Sequence, residues 1–61
     1  MDDEEAGLLG LLTEGLTNAE IAERLGTTQE AVGLKLQQVF AKIGASSRGE
    51  ATAFALREGV L

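Results

Sequence analysis

The chain contains no cysteine, histidine, proline, tryptophan or tyrosine, and its only aromatics are two phenylalanines. Without cysteine there can be no disulfide, and without cysteine or histidine the usual zinc ligands are missing, so neither common staple of a small domain is present. Carboxylates alone can hold calcium or magnesium, but no D-x-D-x-D-G loop occurs. No Gly-rich phosphate loop is present, and Ser46 and Ser47 have no base beside them. An enzyme reading therefore has nothing to stand on, and no cofactor is expected. No apolar run nears the twenty or so residues needed to cross a bilayer, and no signal-peptide pattern occurs, which leaves a cytoplasmic protein as the expectation.

With 61 residues, the chain is one domain, residues 1–61. Its core is small enough that idealised helix packing, and a second copy, are expected to supply stability. The net charge of −5 argues at first against a nucleic-acid partner, whose phosphates call for a basic surface. The distribution says more than the sum. Residues 1–30 carry eight acids against Arg24 alone, giving −7, whereas residues 31–49 carry Lys35, Lys42 and Arg48 with no acid, giving +3. Residues 50–61 carry Glu50 and Glu58 against Arg57, giving −1. Lys42 suits the macrodipole near a helix end; Lys35, in mid-helix, does not. The acids at the N-terminus are explained by the same dipole, with no partner required.

Gly15, Gly26, Gly44 and Gly59 each follow a stretch of helical spacing, as left-handed helix terminators do. Thr17-x-x-Glu20, Thr27-x-x-Glu30 and Ser47-x-x-Glu50 match the capping box, and Asp2-x-x-Glu5 is a weaker form. These signals predict an all-α, four-helix domain with helices at about 3–14, 18–25, 28–43 and 48–58. Gly26-Thr27-Thr28 is the short turn of a helix-turn-helix pair. Leu8, Leu9 and Leu12 are expected in the core with Leu11 partly exposed, and the second helix is expected to bury Ile21, Ala22 and Leu25. On the third helix Val32, Leu36, Val39, Phe40 and Ile43 share one face, leaving Gly33, Leu34, Lys35, Gln37, Gln38 and Lys42 on the other. The fourth has more small and apolar residues than one tiny core can hide, so it is either buried on both sides within the monomer or, as a chain this short favours, packed against a symmetry mate.

The run from Glu14 to Gly26, EGLTNAEIAERLG, closely resembles EGLSNKEIAERLG, and Val32, Lys42-Ile43-Gly44 and Ser47-Arg48-x-Glu50-Ala51 continue the likeness. The chain resembles, over essentially its whole length, the LuxR/FixJ/GerE-type helix-turn-helix domain of bacterial transcription regulators. The resemblance implies a tetrahelical domain that binds double-stranded DNA, with its third helix in the major groove and its last helix forming a homodimer. Such domains usually follow an N-terminal receiver or ligand-sensing domain. Carried over residue by residue, it implies base contacts from Leu34, Gln37 and Gln38, where glutamine suits adenine N6 and N7. It implies phosphate contacts from Thr28, Lys42 and Arg48, to which Lys35, a cation standing where the family has a histidine, is added as a fourth, and a dimer interface around Thr52, Ala53, Leu56 and Val60. The chain departs from the pattern by losing charge. Gly33 stands at a common lysine position, Ala19 replaces a commonly basic residue, and Asp2-Asp3-Glu4-Glu5 replaces a Thr-Pro-Arg-Glu-like start. The alternative is therefore an acidic helix-turn-helix that has lost DNA binding and serves as a dimerisation or protein-docking module.

Overall fold

A computed structural model describes residues 2–58. Four helices follow one another: α1 (Asp3–Thr13), α2 (Asn18–Leu25), α3 (Gln29–Ile43) and α4 (Arg48–Glu58). α1 packs chiefly on α4 and α2 on α3, while α3 also touches α1 and α4. The core gathers Leu8, Leu9 and Leu12 from α1, Ile21 and Ala22 from α2, Val32, Leu36 and Val39 from α3, and Ala51 and Ala55 from α4. Leu9, Ile21 and Val39 are fully enclosed. Ala51 and Ala55, four residues apart, give α4 a smooth inner face on which the leucines of α1 can close. No helix among the described residues is long and apolar enough to cross a membrane.

The helix starts follow the sequence signals with three adjustments. Asp2 forms a complete capping box with Glu5, so this apparently weaker signal is fully used. Thr17 and Glu20 form another complete box. α3, however, is capped by Thr28, whose hydroxyl accepts from the Ala31 N–H, so the expected Thr27–Glu30 box does not form and the helix begins at Gln29. At the head of α4 the Glu50 N–H donates to Ser47 Oγ, as a cap requires. The Glu50 carboxylate instead accepts from the Ser46 N–H and hydroxyl, so the box closes one residue early. α1 also ends one residue sooner than expected, at Thr13.

Two glycines set the turns that aim α3. Gly26 (φ 71°) and Gly44 (φ 72°) are left-handed. After each, the next N–H reaches back to close a Schellman turn, Thr27 to the Ala22 carbonyl and Ala45 to the Phe40 carbonyl, both at 2.9 Å. Gly15 shares the left-handed conformation; Gly59 lies outside the described residues. Leu11 is half-buried as expected. Leu25 is a correction: although it follows Ile21 by four residues, it is 51% exposed. It stands at the last turn of α2, beside an open groove lined by Glu4, Leu8, Thr27, Ala31, Val32 and Lys35, where no element covers it.

Candidate nucleic-acid interface

α3 is the helix that both turns position. Its inner stripe of Val32, Leu36 and Val39 is buried, with Phe40 and Ile43 half-buried along its margin. At 100° per residue, the opposite stripe is Leu34, Gln38 and Ala41, with Gln37 on one flank and Lys35 and Lys42 on the other. Leu34, Gln37, Gln38 and Ala41 are exposed, and Leu34 is 63% open to solvent. Among the described residues, neither glutamine side chain takes part in a hydrogen bond. An outward leucine between two unengaged amides is a surface without a structural task of its own. Gly33, half-buried, faces Asn18, whose amide nitrogen would stand 3.8 Å from an added Cβ. There is thus ordinary contact room for a side chain there, and glycine is not enforced by space.

The cations expected to grip phosphate are already engaged within the fold. Lys35 Nζ lies 2.7 Å from Glu4 Oε1, and Lys42 Nζ lies 2.6 Å from Glu5 Oε2. Lys35 and Lys42 are two helical turns apart, about 10 Å along the axis, and both acids come from the first turn of α1. The two pairs differ in kind. The Glu5 side chain is only 3% exposed, and its other oxygen accepts the Asp2 N–H of the capping box. The Lys42 hydrogen bond, with the Asp2 N–H next, holds the Glu5 carboxyl below its ordinary value, and burial only partly opposes this. The Glu4 side chain is 67% exposed, and its hydrogen bond to Lys35 raises the lysine above its ordinary value.

Arg48 is engaged differently. Its guanidinium donates to Asn18 Oδ1 and, at 2.7 Å, to the Leu16 carbonyl, tying the head of α4 to the α1–α2 turn and the first residue of α2. These partners are neutral, so neither cancels its charge. Thr28 is exposed, and its hydroxyl serves as the cap of α3. The structure therefore brings Leu34, Gln37, Gln38, Lys35 and Lys42 onto one helix, with Thr28 at its head, while Arg48 stands on α4 against α2. Sequence reasoning missed Glu4, Glu5 and Asn18 as partners of these cations. Acids crowding one end of the chain and lysines confined to α3 were the available signal.

Three of the four expected dimer residues, Thr52, Ala53 and Leu56, lie on α4. Leu56 is 62% exposed and Ala53 is exposed. Thr52 is half-buried with its hydroxyl donating to the Arg48 carbonyl, and Val60 lies outside the described residues. Among the described residues, no cluster of three or more carboxylates is placed to hold a metal ion.

Comparison with known proteins agrees with this architecture. The family described as GerE, bacterial regulatory proteins of the luxR family, matches residues 3–55. The chain is 42% identical over 55 residues to the DNA-binding transcriptional activator DevR/DosR of Mycobacterium tuberculosis, covering 90% of this chain and 25% of that protein. It is 33% identical over 61 residues to the transcriptional regulatory protein YdfI of Bacillus subtilis, covering 100% of this chain and 29% of that one. It is 39% identical over 56 residues to the response regulator Rre1 of Synechocystis sp., covering 92% and 24% respectively. The chain spans about a quarter of the length of these relatives. Matched over nearly its whole length and built of the expected four helices, the chain belongs to the luxR family of bacterial regulatory proteins.

Proposed function

We propose that this domain is the DNA-binding module of a bacterial transcription regulator and that α3 reads the major groove. The observation that carries the reading is the outer stripe of α3, where exposed Leu34, Gln37 and Gln38 have no internal task. In a groove, the carbonyl and N–H of one glutamine amide match the N6 donor and N7 acceptor of adenine, and a leucine can lie against a thymine methyl. Thr28, Lys35, Lys42 and Arg48 are the proposed phosphate contacts. Lysine has three donors, so Lys42 can keep Glu5 and still offer an N–H outward. The domain acts as a homodimer through α4, around Thr52, Ala53, Leu56 and Val60, which sets two copies of α3 against an inverted repeat. By likeness to relatives about four times its length, it works beside a receiver or ligand-sensing domain. DevR/DosR is named a DNA-binding transcriptional activator, which supports the same chemistry here.

A second reading, a docking or dimerisation module that has lost DNA binding, is favoured by one observation: Lys35 and Lys42 are both neutralised by acids of α1. Titrating random and selected duplexes at several salt concentrations separates the two. DNA binding requires an affinity that falls with salt, by a slope of about −0.9 per phosphate neutralised. Gln37→Ala should relax preference at one or two base pairs, whereas Lys35→Ala should weaken all sequences alike. Binding undetectable at low salt and high protein concentration would leave the docking reading in place.

A further inference from the structure

We infer that Glu4 sets the affinity of this domain for DNA, its carboxylate competing with a DNA phosphate for the Lys35 ammonium. The inference rests on the DNA-binding reading and adds a residue outside α3 to it. Its starting point is the 2.7 Å pair between Lys35 Nζ and Glu4 Oε1, which spans from the first turn of α1 to the middle of α3. Lys35 stands on the flank of α3 next to the Leu34–Gln38 stripe, where a phosphate beside a groove-bound helix would meet it. In the free protein that place is taken by a carboxylate. Asp2 and Glu5 add their charge around the same ammonium.

The two lysine pairs are unequal in what they can release. Glu5 is enclosed and belongs to the cap of α1, so losing Lys42 would strand a buried charge. Glu4 is largely in water and has no part in the capping box, so it can let go of Lys35 and be hydrated instead. Lys35 is thus the exchangeable cation and Glu4 its competitor. When DNA takes Lys35, the freed Glu4 stays beside the phosphate and cancels part of the electrostatic gain. A neutral residue at position 4 removes both effects together.

The test is a four-protein cycle: the unmodified chain, Glu4→Gln, Lys35→Gln, and the two together, each titrated with a duplex at several salt concentrations. Glu4→Gln should bind roughly two- to fivefold more tightly, the range of an exposed ion pair. Its salt slope should steepen by a fraction of the roughly 0.9 that a whole phosphate contact supplies, because the contact of Lys35 is no longer offset by a freed carboxylate. In the Lys35→Gln background the same change should gain little. Glutamine keeps the first methylenes of Lys35 beside the Leu25 groove, and a helical circular dichroism spectrum with one cooperative melt for each variant checks that the fold is intact. An equal gain with and without Lys35 would make Glu4 a general repulsion and overturn the inference, leaving the DNA reading intact. No gain in either background would overturn it too. Absence of binding in all four proteins would end the DNA reading and this inference with it.

Discussion

Glu5 uses its two oxygens for different purposes, one closing the cap of α1 and the other holding Lys42 across the fold. Its carboxyl is depressed in the folded protein, so its contribution is complete above the ordinary value of 4.5 and is lost as pH falls through the lower folded value. Glu20 and Glu50 act in the same direction, held down by the Thr17 N–H and the Ser46 N–H respectively. Stability should therefore decline on acidification below about pH 4.5, and Glu5→Gln should flatten that decline when melting is followed by circular dichroism across a pH series. An unchanged pH profile would remove Glu5 from the account. Lys35 has the opposite sign: raised by Glu4, it contributes below its ordinary 10.5, and that contribution fades as pH rises through the folded value. Lys42→Met leaves the Glu5 carboxylate enclosed without its cation, and it should destabilise the domain more than Lys35→Met does.

α3 depends on how its ends are fixed and how its inner stripe is packed. Gly26→Ala places a side chain at φ 71° and should cost about 1–2 kcal/mol. Thr28→Ala removes the cap and should cost about 1 kcal/mol, whereas Thr27→Ala should cost much less because Thr27 does not cap the helix. Leu9→Ala opens the enclosed centre and should cost about 2–5 kcal/mol; denaturant melts of the four variants check this order. The contrast between Thr27 and Thr28 also marks how far the sequence can be read. Helix spans, glycine stops and the Leu8–Leu9–Leu12 core were legible because each follows from local spacing. The local pattern favours Thr27, which has Glu30 three residues on where Thr28 has Ala31, yet the turn after Gly26 makes Thr28 the cap. Leu25 misled for a related reason: its period is that of a buried residue, but it borders an open groove that leaves it half exposed. The outward face of α3 was legible as a face, whereas the engagement of Lys35, Lys42 and Arg48 was not, because their partners are thirty or more residues away.

At the scale of the whole molecule, charge and symmetry carry the function we propose. A monomer of this size leaves Leu56 and Ala53 uncovered on α4, a face that a second copy would cover. Sedimentation should show concentration-dependent association that Leu56→Glu abolishes; association unaffected by that change would move the interface elsewhere. On the proposed reading the acids of α1 oppose polyanion binding, so affinity is expected to be modest at physiological salt and to grow when two copies act together. The central claim is that the outer stripe of α3 meets DNA, and amide chemical-shift mapping of the labelled domain on addition of duplex at low salt tests it most directly. The account predicts the largest changes at Leu34, Gln37 and Gln38, with smaller ones at Thr28, Lys35 and Lys42. Changes confined to the Leu25 groove or to α4, with the α3 stripe unmoved, would contradict it.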